Sequence, residues 1–242
     1  MEILFVFVIA LVSAMLQATI GFGFSILAMI FLPRLLPYPA AVTLNISIAL
    51  MNTSYLSIRN RRHIEWKTLM PLLIPSLIIG VVFTLGSASL DSLYMDIILG
   101  AVLVILSLYF IAFADKIKIN PNPLSGALMG SIAGIGNGFF GIGGPPAVLY
   151  LMPAVKDKRE YLATIQCYFA LCNIANLSLR IAMSEYTLDL LPFTLSGWVG
   201  VLIGTFIGFQ FFKKMDLSFL KRFVYFFVGI NGIYLIVTSL IK

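Results

Sequence analysis

The chain has 242 residues, 60% of them hydrophobic and 11% charged, and its mean hydropathy is +1.03. A soluble domain of this length cannot bury so much apolar side chain, so the composition excludes an ordinary soluble protein and predicts a membrane protein. The net charge of +6 would indicate nucleic acid in a soluble protein. Here the basic residues lie in short loops between apolar runs, where they report topology, and no nucleic-acid partner is expected.

Charged residues divide the chain into eight uncharged runs, at 3–33, 35–58, 68–90, 97–114, 119–155, 161–179, 190–212 and 223–241. A helix that crosses a bilayer needs roughly 17–25 apolar residues, so six runs fit one crossing each. The first and fifth runs are too long for one straight helix. Each contains a glycine-rich segment, at 21–24 and at 134–146, and the second ends in two prolines. We expect both runs to break at these segments.

The positions of the Lys and Arg residues favour a return of both broken runs to their starting side. If every run crossed once, the sixteen basic residues would divide equally between the two faces. If both broken runs are hairpins, the loops 59–67, 115–118, 156–160 and 213–222 share one face and hold thirteen of the sixteen. That face is then cytoplasmic. Whether the hairpins cross fully or are re-entrant stays open.

These observations predict an all-α polytopic membrane protein of two inverted repeats, because each half has one hairpin and an odd number of crossing helices. The first repeat is expected at 1–114, with a hairpin at 3–36 and helices at about 39–58, 68–88 and 95–114. A cytoplasmic linker follows at 115–123. The second repeat is expected at 124–242, with a hairpin at 124–154 and helices at about 160–180, 189–212 and 219–241.

A repeated segment supports the duplication, since residues 49–59 return at 170–180 with six of eleven positions identical. The alignment pairs Asn52 with Asn173 as candidate substrate-binding residues. It also pairs Asn45 with Gln166 and Arg59 with Arg180 as secondary candidates. The two amides of each half are seven residues apart and share one helix face. Amides in hydrocarbon either line a polar cavity or bond between helices, and both interpretations stay open.

The two breaks are the second group of candidates, because the N-terminus of a half-helix offers unpaired N–H groups that suit an anion. The candidate binding residues here are glycines at the breaks with one nearby polar donor in each half: Gly21, Gly23, Gly141, Gly143, Gly144, Thr19 and Asn137. The alternative is that the glycines only allow close helix packing. Arg59 and Arg180 either gather anions at the two mouths of the pathway or extend to the lipid headgroups.

All ten Asp and Glu residues are expected at termini or in loops, with Asp91, Asp96, Glu185 and Asp189 in the outer ones. A proton relay or cation site built on buried carboxylates is therefore disfavoured, and an uncharged pathway suits an anion. His63 is the only histidine, so no catalytic set, metal site or cofactor site is expected, and the chain is not predicted to be an enzyme. The expected partners are a small anionic substrate and the lipid bilayer, and a homodimer is left open.

The two glycine-rich breaks, at 18–23 and 138–147, and the four-helix repeat resemble the sulfite exporter TauE/SafE family of membrane permeases. The segment from Gly138 to Ala147 is the most specific element of this resemblance. The resemblance implies a plasma-membrane protein that exports sulfite or small organosulfonates. We therefore expect a secondary transporter that works by alternating access between the two repeats. An anion channel with the same lining and a non-transporting membrane scaffold are the alternatives.

Overall fold

The computed structural model describes residues 1–87, 92–113, 120–155, 157–211 and 217–240, and these residues are helical almost throughout. The α-helices are α1 (Glu2–Ile20), α2 (Phe24–Phe31), α3 (Tyr38–Arg59), α4 (Trp66–Ser87), α5 (Ser92–Phe113), α6 (Pro123–Phe140), α7 (Gly144–Ala154), α8 (Lys158–Ala182), α9 (Leu191–Phe211) and α10 (Leu217–Leu240). Most of the expected linker at 115–123 lies outside the described residues, as does Asp91.

Both long apolar runs are interrupted at their glycines. Helix α1 ends at Gly21, which has a φ of 88°, and α2 begins after Gly23, which has a φ of 103°. Helix α6 ends at Gly141, which has a φ of 67°. These left-handed conformations are costly for residues with a Cβ, so glycine fixes the place at which each helix stops.

The first helix of each broken pair packs on a helix from the other half of the chain. Helix α1 packs along α9, and α6 packs along α4. Glycines spaced four apart make this possible, since a Cβ at Gly134 would lie 2.7 Å from the Ser76 carbonyl oxygen and one at Gly200 would lie 2.5 Å from that of Phe7. Small residues allow such close backbone approach in membrane proteins.

Helices α3 and α8, the pair that carries the repeated segment, pack against each other in antiparallel orientation. The N-terminal part of α3 lies near the segment that follows α8, because Thr43 donates a hydrogen bond to Glu185. The segment that follows α3 lies near the N-terminal part of α8, because the backbone N–H of Glu65 donates to Thr164. Helices α5 and α10 also pack together, in contact at Gly100 and Gly232.

The helices have the composition of a multi-pass membrane protein. Within the described residues, Tyr38–Arg59, Trp66–Ser87, Lys158–Ala182 and Leu188–Gly208 are long and apolar enough to cross a bilayer. Large apolar side chains such as Ile78, Leu108 and Phe206 remain exposed on the outer surface, where lipid would cover them. One sequence expectation is wrong: Asp96 lies inside α5 and is partly buried, so it does not belong to an outer loop.

Candidate functional site

A cavity lies where the two breaks meet, with about 380 Å³ of empty space when the part open to solvent is included. The breaks contribute Gly23 from the first half and Gly141, Gly143 and Gly144 from the second. The remaining lining comes from the neighbouring helices: Gln17, Phe24, Ser25, Ile26, Ala49, Thr53, Asn137, Ile142, Phe169 and Asn173. None of these lining residues is charged, so the polar character of the cavity comes from amides, hydroxyls and backbone groups.

The structure therefore brings together six of the nine residues that the sequence names as substrate-binding: Gly23, Asn137, Gly141, Gly143, Gly144 and Asn173. Gly21 ends α1 beside the cavity and is not among the lining residues. Thr19 lies in α1, and its side chain falls outside what the structure describes. Asn52 is buried and lies behind the lining.

The two equivalent asparagines of the repeated segment have different surroundings. Asn52 donates a hydrogen bond to the Gln17 side-chain oxygen over 3.3 Å and accepts one from Thr205 over 3.4 Å. Asn173 is only 7% exposed, lines the cavity and has no hydrogen-bond partner among the described residues. The Asn173 amide therefore faces the cavity without a partner among the described residues, and it is the side chain there that is most available to a ligand or water.

The secondary amides Asn45 and Gln166 each reach the end of a broken helix from the opposite half. The Gln166 amide donates to the carbonyl oxygen of Gly21 over 3.1 Å, at the end of α1. The Asn45 amide donates to the carbonyl oxygen of Phe140 over 3.4 Å, at the end of α6. Terminal carbonyls of a helix have no partner within it, so these two amides satisfy acceptors that the breaks create. Neither residue lines the cavity.

Gln17 is a site residue that the sequence analysis missed. It lies in α1, lines the cavity, accepts from Asn52 and donates to the Gln166 side-chain oxygen over 3.4 Å. An alignment of Gly21 and Gly23 with Gly141 and Gly143 would have found it, because that register pairs Gln17 with Asn137. Ser25, Thr53 and Phe169 also line the cavity and were not singled out.

Asn137 itself connects the cavity to a second polar cluster between α4 and α8. Its amide donates to the Tyr168 hydroxyl over 3.4 Å, and that hydroxyl lies 2.7 Å from the Ser76 hydroxyl. The same side chain also lines a smaller space next to Ser76 and Cys172, of about 230 Å³ when the part open to solvent is included. Asn137 thus lies between the two spaces.

The two arginines of the repeated segment also differ. Arg59 is exposed, and within the described part of the chain its hydrogen bond is to the nearby Tyr55 hydroxyl over 3.1 Å. Arg180 is 1% exposed, so of the two alternatives the extension to the headgroups does not apply to it. Its guanidinium donates to the Gly138 carbonyl oxygen over 2.8 Å and forms an ion pair with Glu185. Arg180 therefore stabilises the end of α6, one turn before the second break, and does not line the cavity.

The arrangement is suited to a small anion. The lining residues carry no carboxylate that would repel one, and the N-terminal end of α2 lies at the cavity with the partial positive charge of a helix start. Amide and hydroxyl side chains add neutral donors.

Among the described residues, no group of three or more His, Cys, Asp and Glu side chains lies close enough to hold a metal ion.

Comparison with known proteins gives one match. A family model described as "Sulfite exporter TauE/SafE" matches residues 6–235, which is nearly the whole chain. The match confirms the resemblance drawn from the glycine-rich breaks. No curated protein and no solved structure matches the chain.

Proposed function

The chain belongs to the sulfite exporter TauE/SafE family, and we propose that it exports sulfite or a small organosulfonate across the plasma membrane by alternating access. The family implies a membrane exporter of sulfite or a related sulfur anion and not an enzyme. The finer mechanism rests on the geometry of the cavity and of the two halves of the chain.

One observation carries the proposal: the cavity at the meeting point of the two breaks has an uncharged lining and contains Asn173, a buried amide without a partner among the described residues. An anion supplies the acceptor that this amide lacks. It also interacts favourably with the start of α2, which faces the same space.

The helix contacts support an inverted-repeat architecture. Residues 2–113 and 123–240 each supply five α-helices in the same order. The equivalent helices α3 and α8 are antiparallel, and the pairing of α1 with α9 is matched by that of α6 with α4. Two halves related in this way can exchange conformations around a central site, and that exchange is the basis of alternating access.

Two contacts, made by the aligned residues Thr43 and Thr164, offer a route for the change between the two conformations. At one end of the α3–α8 pair, Thr43 donates to Glu185 over 3.4 Å, and Glu185 is paired with Arg180. At the other end, the backbone N–H of Glu65 donates to Thr164 over 3.0 Å. We infer that these contacts loosen in turn as the cavity opens to each side. An inside-negative potential of about 100 mV would favour outward movement of a monovalent anion by about 2.3 kcal/mol, so export needs no obligatory proton.

Sulfite efflux from proteoliposomes that contain the full chain tests the proposal. We expect efflux that saturates with internal sulfite and that falls at least about tenfold in Asn173→Ala, because the cavity loses its free amide. Asn231→Ala is the matched control, since Asn231 lies in α10 and is not among the residues that line the cavity.

Two results would contradict the proposal. Efflux that rises without saturation would indicate a channel. No efflux above that of empty liposomes, for sulfite and for short organosulfonates alike, would indicate a non-transporting protein.

A further inference from the structure

We propose that the anion binds at the N-terminus of α2, through the backbone N–H groups of its first turn, Ser25 and the Asn173 amide, and that the equivalent end of α7 does not bind it. This inference rests on the proposed function and assigns its binding groups. The two breaks look interchangeable in sequence, but three features of the structure distinguish them.

The first feature is the number of backbone donors. The register that pairs Gly23 with Gly143 sets Phe24-Ser25-Ile26 against Gly144-Pro145-Pro146. The first N–H groups of a helix have no partner within it and are available to a ligand. All three residues at the start of α2 carry such a group and line the cavity. Of the three equivalent residues at the start of α7, only Gly144 carries such an N–H group, because proline has none.

The second feature is a side chain that covers one break and not the other. The Asn137 amide lies directly over Gly143, the residue before α7, where an added Cβ would be 2.6 Å from the Asn137 Cγ. Its equivalent, Gln17, is instead held by Asn52 and Gln166. The nearest atom to a Cβ at Gly23 would be a Leu16 methyl carbon at 3.1 Å. No polar side chain lies within 4 Å of a Cβ at Gly23, whereas the Asn137 amide packs against Gly143 immediately before α7.

The third feature points to a ligand independently of the helix end. Asn173 is more than nine-tenths buried, lines the same cavity and has no partner among the described residues, while its equivalent Asn52 donates one hydrogen bond and accepts another. The hydroxyl of Ser25 adds a donor for which α7 has no counterpart, since proline stands at the equivalent position. Donors from α2 in the first half and α8 in the second thus surround one space. A sulfite or sulfonate group, with three oxygens that all accept hydrogen bonds, suits this set.

Substitution of Ser25 in the full-length protein tests the assignment. Ser25→Pro gives α2 the residue that α7 carries at the same position and removes both the hydroxyl and one N–H. Ser25→Ala removes the hydroxyl alone, and it tests the assignment even if the proline variant does not fold. Ser131→Ala is the matched control, because Ser131 lies in α6, is partly buried and donates to the Ala127 carbonyl oxygen of its own helix.

The Kd of sodium sulfite, measured by titration of the detergent-solubilised protein, is the readout, and the Tm without sulfite reports the fold. We expect Ser25→Ala to weaken binding about tenfold and Ser25→Pro about a hundredfold, since hydrogen bonds to a charged group are the strong ones. Ser131→Ala should bind like the unmodified protein. The Tm without sulfite should be unchanged in Ser25→Ala.

If Ser25→Ala, and Ser25→Pro where it folds, bind sulfite within twofold of the unmodified protein, the assignment to α2 is overturned while sulfite export stands. An equal loss of affinity in Ser131→Ala would also overturn it. If the unmodified protein neither binds nor transports sulfite or any short organosulfonate, the proposed function fails as well.

Discussion

Replacement of Arg180 by methionine should destabilise the protein far more than the same change at Arg59, although the two residues occupy the same position of a repeated segment. Arg180 donates to Asn176 over 2.9 Å and to the Gly138 carbonyl oxygen over 2.8 Å, and it is paired with Glu185. Methionine keeps much of the volume but leaves these acceptors, one of them charged, without their donor. Removal of one partner from a buried ion pair costs about 3–5 kcal/mol.

The loss of stability at Arg59 should be about 0.5 kcal/mol or less, because that residue is exposed and, among the described residues, its hydrogen bond is to Tyr55. Thermal unfolding in detergent measures both changes. For a chain of this size we expect Arg180→Met to lower the Tm by about 10 °C and Arg59→Met by at most about 2 °C. Addition of Glu185→Gln to Arg180→Met should recover part of the loss, since it removes the stranded charge. Equal Tm values for the two single variants would refute the reasoning.

Three further predictions use matched pairs or a single local contact. Asn173→Ala should abolish most sulfite efflux with little change in Tm, whereas Asn52→Ala should lower the Tm by several degrees, and the reverse pattern would contradict the roles given to them. Gly130→Ala should lower the free energy of unfolding by about 1–3 kcal/mol because its Cβ would overlap a backbone carbonyl of α4, while Gly86→Ala should not, since nothing lies within 4 Å of a Cβ there. Asn122→Ala removes the capping box at the start of α6 and should cost about 1 kcal/mol, which a denaturant titration would detect; an unchanged midpoint would count against the cap.

The class of the protein and its breaks follow from local properties of the sequence. Apolar runs of sufficient length have no stable alternative to helices in a bilayer, because every backbone polar group must be satisfied within the segment. The positions at which the long runs stop are set by Gly21, Gly23 and Gly141, whose left-handed backbone conformations favour glycine. The repeated segment likewise indicated a duplication without any knowledge of contacts.

Which copy of each repeated residue is available to a ligand was decided only by the tertiary structure. Asn52 and Asn173 occupy the same position of the repeated segment, yet Thr205 and Gln17 engage the first and no described residue engages the second. The Gln17 amide is held by Gln166, which is 149 residues away in the chain. Whether a polar side chain has a hydrogen-bond partner depends on residues that folding brings together from such distances. A local sequence pattern therefore cannot show which of two equivalent residues is paired. The sequence by itself therefore determined a membrane protein with two breaks and indicated a duplication, and the tertiary structure made the two copies of the repeated segment unequal around one cavity.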